Sequence, residues 1–171
     1  MNRLYLLRHA KAAPEADGQA DRDRPLAPKG ERAMGEVGAW AAERGLAPDL
    51  VLCSPAARTR QTLALLLPHL SGRPEVKLED ALYLASASAL LERLRKIGLR
   101  TATVLLIGHN PGLHELALRL LRSAAGALGK RLKDGLPTGA IAAFELDGPW
   151  SALDDGAARL IHYVTPKELR D

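Results

Sequence analysis

Three short apolar runs, Leu4 to Leu7, Leu50 to Cys53 and Val104 to Ile107, each stop abruptly at a group of polar or charged residues. Four apolar residues in a row without polar alternation suit a strand buried on both faces. Between the runs lie stretches with the spacing of amphipathic helices. Strands that alternate with helices build a largely parallel sheet with helices on both sides, so the chain reads as a three-layer α/β fold. Open sheets of this kind hold their ligands at the carboxyl edge of the strands. The residues that follow each run are therefore the ones such a fold presents to a ligand.

Arg8 and His9 follow the first run, and Ser54, Pro55, Arg58, Gln61 and Thr62 follow the second. Gly108, His109, Asn110, Pro111 and Gly112 follow the third. Imidazoles and guanidiniums thus converge on one edge. A neutral imidazole can attack phosphorus, while planar guanidiniums hold the oxygens that gather negative charge during the attack. Isolated histidines and arginines after strands are usually structural or surface residues, but this convergence is what a site needs and a core avoids.

The set resembles the histidine phosphatase superfamily, whose signature is an Arg-His pair after the first strand, an S-P-x-x-R-x-x-Q-T segment and a later G-H-x-P-type segment. Here those read Leu7-Arg8-His9-Ala10, Ser54 to Thr62, and Gly108 to Gly112, in the same order. The chain is most similar to the small SixA-type phosphohistidine phosphatases. Arg24-Pro25-Leu26-Ala27-Pro28-Lys29-Gly30 resembles their R-P-L-T-x-x-G stretch, and Thr138 to Ala142 resembles their late T-x-A-I-A strand. At 171 residues the chain also leaves no room for the cap insertions of mutases and phytases. The resemblance implies a phosphoglycerate mutase-like fold.

A length of 171 residues suits one histidine phosphatase domain over 1–171. No apolar stretch approaches the roughly 20 residues that span a bilayer, and Arg8 interrupts the only candidate for a signal peptide's apolar segment, so the expected location is cytoplasmic. A net charge of +4 and a pI near 9.5 suit anionic substrates without identifying one. The lone cysteine, Cys53, excludes an internal disulfide and reads as a small buried residue. Lys130, Arg131 and Lys133 read as a solvated loop, since no aromatic residues interleave with them as a nucleic-acid site would require.

The expected elements are strands at 3–7, 49–53, 74–78, 102–107, 139–146 and 158–164, and helices at 28–44, 55–70, 86–97 and 111–122. Pro28 suits a first helical turn and Gly45 a helix stop. Residues 10–24 should form an exposed, mobile loop, and 123–139 a second long loop near the last strands.

The resemblance implies roles for particular residues. His9 would be the nucleophile, becoming phosphohistidine before water releases the phosphate. Arg8, Arg58 and His109 would hold the nonbridging oxygens; apart from the resemblance, Arg24 is expected to bind substrate and to help close the first loop over the site. Neither metal nor cofactor is expected: His109 and His114 are not at the spacing of paired zinc ligands on a helix. His69, His114 and His162 read as structural. Superfamily members that cleave alkyl phosphates carry a carboxylic acid after the third strand, because an alkoxide leaves poorly without a proton. The position that aligns with it falls near Leu84, leaving Glu79, Asp21 and Asp23 as candidates. The absence of a strong acid favours a phosphohistidine-bearing protein as substrate, either a phosphotransfer domain or a phosphocarrier, with no membrane partner. The alternatives are a small-molecule phosphomonoesterase and a phosphate-recognition module without turnover.

Overall fold

The computed structural model describes residues 1–171. In chain order the elements are β1 (Arg3–Arg8), α1 (Pro28–Glu43), β2 (Leu50–Cys53), α2 (Ala57–Leu66), β3 (Glu75–Leu78), α3 (Ala87–Arg95) and β4 (Thr103–Gly108). They continue with α4 (Gly112–Leu120), β5 (Leu121–Ala124), α5 (Leu128–Asp134), β6 (Ile141–Leu146), β7 (Ala158–Val164) and α6 (Pro166–Arg170). The strands form one seven-stranded sheet in the order β3-β2-β4-β1-β6-β7-β5. All neighbouring pairs are parallel except those made by β6, which runs against both β1 and β7.

Side chains of successive strand residues point to opposite faces, so each central strand feeds two cores. Leu4 and Leu6 of β1, Leu50 and Leu52 of β2, and Val104 and Leu106 of β4 enter one core, completed by Leu90, Leu91 and Leu94 of α3 and by Leu113, Leu116 and Leu120 of α4. Tyr5 and Leu7, Val51 and Cys53, and Leu105 and Ile107 enter the other, closed by Met34, Val37 and Ala41 of α1 and by Leu63 and Leu66 of α2. Burial on both faces explains why these strands read as unbroken apolar runs. The three-layer α/β architecture expected from the alternation is the one observed. No helix is long and apolar enough to cross a membrane.

The differences lie mainly at the sheet's far edge. Residues 123–139 are not one loop: Leu121–Ala124 form β5 against β7, and Leu128–Asp134 form α5. The helix expected over 111–122 therefore ends at Leu120. A four-residue edge strand with Arg122 and Ser123 at its centre carries no apolar periodicity. In α5, Leu132 is the only buried residue, so tertiary packing and not local pattern fixes the element. The basic residues Lys130, Arg131 and Lys133 lie on this helix, where Arg131 pairs with Glu168 and stacks over Tyr163. The second helix ends four residues early, at Leu66, and Pro68 continues it as a tight turn over Leu67–His69.

Residues 14–18 are exposed, as expected of the first loop, but both ends of that loop are tied down. The Ala13 N–H donates to the Pro25 carbonyl at 2.8 Å, and the Ala27 N–H donates to the Lys11 carbonyl at 2.9 Å.

Close backbone approach fixes where α4 begins. A Cβ on Gly112 would lie 1.9 Å from the Ala85 carbonyl oxygen, a separation that only backbone movement can relieve. By contrast, Gly35 on the exposed side of α1 has nothing within 4 Å of such an atom. Gly112→Ala should destabilise the protein by about 1–3 kcal/mol through overpacking, while Gly35→Ala should stabilise it by about 0.5–1 kcal/mol through helix propensity. Urea unfolding midpoints of the two variants check both signs.

Candidate active site

The strand register assembles the site. Arg8 of β1 lies opposite Gly108 of β4, and Cys53 of β2 lies opposite Ile107. The next residues of each strand, His9, His109 and Ser54, therefore emerge side by side at the carboxyl edge. The His9 N–H donates to the Gly108 carbonyl at 3.2 Å and the Ser54 N–H to the Ile107 carbonyl at 3.1 Å, extending the pairing past the strand ends. The two imidazole rings have centroids 5.3 Å apart.

The segment after β2 positions more than its arginine. Thr62 accepts a hydrogen bond from the Ala10 N–H at 3.0 Å and donates to the Arg58 carbonyl at 2.7 Å, which ties the turn after His9 to α2. Gln61 accepts from the Leu26 N–H at 2.8 Å and so anchors the returning end of the first loop. Thr59 donates back to the Ser54 carbonyl at 2.7 Å. These motif residues hold the reactive groups in place without facing the cavity themselves.

A cavity of about 420 Å³ opens at this edge, lined by Arg8, His9, Lys11, Ala12, Asp21, Arg24, Arg58, Leu84, His109, Asn110 and Thr138. His9, His109, Arg8, Arg58 and Arg24 are thus brought together. Glu79 and Asp23 do not line the cavity, and Glu79 is held by Arg93 through contacts of 2.6 and 2.9 Å. Asp21 is the single carboxylate facing it.

Hydrogen bonding fixes the tautomer of each imidazole. His9 Nδ1 lies 2.7 Å from the Ala10 carbonyl, which can only accept, so Nδ1 carries the hydrogen and Nε2 keeps a free lone pair. Arg58 can only donate, so His109 Nδ1, at 3.3 Å from Arg58 Nη2, accepts; His109 Nε2 then donates to Ser54 Oγ at 2.7 Å. Burial pushes His9 down to about 4, a shift that Arg58, Arg8 and Arg24 deepen and the Ala10 carbonyl opposes. His109 is pushed down to about 3, by burial first and then by His9 and Arg58. Both rings are neutral at neutral pH.

The guanidiniums are held but incompletely satisfied. Arg8 donates to the Leu136 carbonyl at 3.2 Å, the same oxygen that Asn110 Nδ2 reaches at 2.8 Å. The Nε–H groups of both Arg8 and Arg58 are buried without an acceptor. An unmet buried donor costs on the order of 1–3 kcal/mol, so the two guanidiniums are held at the site at a cost in stability.

Sequence reasoning missed the cluster around Asp21. Its carboxylate takes Arg58 Nη2 at 3.0 Å, Arg24 Nε at 3.0 Å and the Tyr83 hydroxyl, and its backbone carbonyl takes Arg58 Nη1 at 2.8 Å. The Tyr83 bond, followed by those from Arg58 and Arg24, pulls Asp21 down to about 2 against the opposing effect of desolvation. Tyr83 also meets the His109 ring edge-on at 5.4 Å. The cluster joins residues 62 positions apart, so no local pattern announces it. Leu84 follows Tyr83 at the cavity rim with a φ of 51°, a left-handed conformation that costs a non-glycine residue roughly 1–2 kcal/mol.

The remaining candidates are structural. The His69 ring fills the space over Gly38, His114 Nε2 bonds the Leu132 carbonyl at 2.7 Å, and His162 packs edge-on against Trp40. Cys53 is fully buried and burial pushes its thiol up to about 12, which excludes a thiolate.

Two outcomes are expected from this geometry. Both imidazoles bind protons less readily folded than unfolded, so their contribution to stability is present above about pH 6.5 and is lost as pH falls through about 4 for His9 and about 3 for His109. Urea titrations should show that acid slope in the wild type and a shallower one in His9→Asn. Separately, the Asp21 carboxylate occupies guanidinium donors that a phosphate would use. Asp21→Ala should therefore tighten inorganic phosphate binding by about tenfold, the scale of one charge-assisted hydrogen bond. Weaker binding in calorimetry would show instead that Asp21 serves to orient the guanidiniums.

Comparison with known proteins gives the same grouping. The model of the histidine phosphatase superfamily (branch 1) matches residues 4–83. An uncharacterised protein of Mycobacterium tuberculosis is 37% identical over 164 residues, covering 94% of this chain and 100% of that protein. The structure of a candidate phosphohistidine phosphatase SixA from Nakamurella multipartitia superposes with a TM-score of 0.83 at 31% identity, covering 96% of both chains. One from Agrobacterium tumefaciens gives 0.81 at 30% identity, covering 96% of this chain and 98% of the other. The fold is therefore phosphoglycerate mutase-like, and the chain belongs to the histidine phosphatase superfamily as a SixA-like phosphatase.

Proposed function

We propose that the protein hydrolyses phosphohistidine on a partner protein through a covalent intermediate at His9. The observation that carries this reading is the state of Asp21. The one carboxylate that faces the cavity is held ionised by Tyr83, Arg58 and Arg24 and has no proton to give. An alkoxide leaving group needs such a proton, whereas the imidazole of phosphohistidine can take one from solvent on its remote nitrogen.

In this scheme His9 Nε2 attacks phosphorus in line, and the bond from phosphorus to the substrate imidazole breaks with its electron pair on the departing nitrogen. Arg8, Arg58 and Arg24 hold the nonbridging oxygens, most strongly when negative charge spreads over them. An incoming phosphoryl oxygen displaces the Asp21 carboxylate from Arg58, while the bonds from Tyr83 and Arg24 keep that carboxylate ionised. Once Arg58 Nη2 turns to that oxygen, His109 can exchange tautomers: Ser54 Oγ–H donates to Nε2 and the Nδ1–H faces the phosphoryl group. Water then attacks the phosphorus on His9 and restores the free imidazole.

The test is the ratio of kcat/KM for a histidine-phosphorylated phosphotransfer domain to that for a panel of small phosphate monoesters, with His9→Ala as blank. Preference for the phosphorylated domain, acid-labile phosphate trapped on the wild type, and loss of both in His9→Ala are the expected results. Preference for a monoester would replace this reading with a small-molecule phosphatase in which Asp21, freed from Arg58, regains a proton. Binding without trapped phosphate or turnover would leave a recognition module.

A further inference from the structure

A second cavity, of about 400 Å³, adjoins the catalytic one and shares Lys11 and Thr138 with it. Its charged lining consists of Lys11, Lys29, Lys167 and Arg170, with no carboxylate. These cations come from separate parts of the chain: the turn after β1, the first turn of α1, and α6. None of the four joins an ion pair. Glu168, the acidic residue within α6, is turned to Arg131 and Thr165. All four cations are exposed.

The placement of α6 is built into the catalytic edge. The Gly139 N–H donates to the carbonyls of Arg8 and His9 at 3.0 Å each, and a Cβ on Gly139 would lie 2.8 Å from Pro166 Cγ. With φ at +76° and no side chain, Gly139 lets the start of α6 pack beside the turn that follows the nucleophile. Lys167 and Arg170 are thereby carried to the flank of the catalytic cavity. Like charges gathered without counterions repel one another, and the cavity they line adjoins the place where a phosphoryl group would sit, with Lys11 and Thr138 common to both.

We propose that this basic cavity seats acidic side chains that flank the phosphohistidine of a protein substrate; the assignment rests on the phosphohistidine reading above. The four exposed cations come from three separate parts of the chain, a spread that matches several dispersed carboxylates on a protein surface and not one compact phosphate. The catalytic cavity supplies the forked guanidiniums of Arg8, Arg24 and Arg58, whereas three of the four cations here are lysines, mobile point charges on long stems. Exposed lysines around an open cavity suit a partner's surface, whose approach they accelerate and orient.

The experiment compares wild type with the Lys167→Glu, Arg170→Glu double variant on two probes, a histidine-phosphorylated phosphotransfer domain and free phosphohistidine. For the domain, kcat/KM should fall by about tenfold at low ionic strength, mostly through KM, and the loss should shrink as salt screens the charges. Free phosphohistidine should be turned over at the wild-type rate, which also reports an intact fold. The neutral Lys167→Ala, Arg170→Ala variant should lie between. An unchanged rate on the domain, or an equal loss on both probes, would overturn the assignment. A small bisphosphate, run as a third probe, that lost turnover where the domain did not would overturn it too. Wild type that turned over neither phosphohistidine probe would instead refute the phosphohistidine reading itself.

Discussion

The parallel pairing of β1 with β4, and of β4 with β2, is the constraint on which the remaining structure depends. Arg8 opposite Gly108 and Cys53 opposite Ile107 are what set His9 beside His109 and Ser54. A slip of one residue would exchange the two faces of a strand, sending Leu4 and Leu6 into the core now filled by Tyr5 and Leu7. Because both faces are packed, the shapes of both cores resist that exchange. The antiparallel β6 strengthens the lock from the other side, pairing Leu7 with Ile141. The spacing of the two imidazoles is thus set by apolar packing well below the site.

That placement decides the electrostatics. His9 and His109 are buried at the one edge where guanidiniums also gather, and desolvation and neighbouring positive charge both favour the neutral ring. A solvated histidine would be partly protonated near neutrality, with its lone pair blocked. The cations that would hold phosphoryl oxygens in the proposed reaction therefore also keep His9 neutral, provided they are themselves held in place. Arg58 is, by Asp21 on one side and by His109 Nδ1 on the other.

How much of this was legible in the sequence follows from the range of the interactions involved. Strands buried on both faces announce themselves as apolar runs, and the residues after them form the site, so His9, Arg8, Arg58 and His109 could be placed at one edge before any contact was known. Thr62 and Gln61 were visible as parts of a motif, but their bonds to Ala10 and Leu26 depend on how α2 packs. β5 and α5 left almost no trace, since each is fixed by packing at the edge and not by periodicity. Asp21 was one of several loop carboxylates; only the fold distinguishes it from Asp23 by bringing it to Arg58 and Tyr83.

The acid question turns on the same contact. A general acid works best when its pKa lies near the operating pH, and Asp21, held at about 2, lies far below it. Its neighbours explain why, for the bonds from Arg58, Arg24 and Tyr83 that hold this part of the first loop over the site also stabilise the carboxylate. Weakening those bonds would raise the pKa but release the loop, so anchoring and proton donation compete at this residue. Glu79 cannot substitute while Arg93 holds it in a two-point contact outside the cavity, and at the rim the chain presents the aliphatic Leu84. A site arranged in this way stabilises phosphoryl oxygens strongly and leaving groups weakly. On this ground the proposed reading favours bonds whose leaving atom can obtain a proton elsewhere, the P–N bond to an imidazole among them.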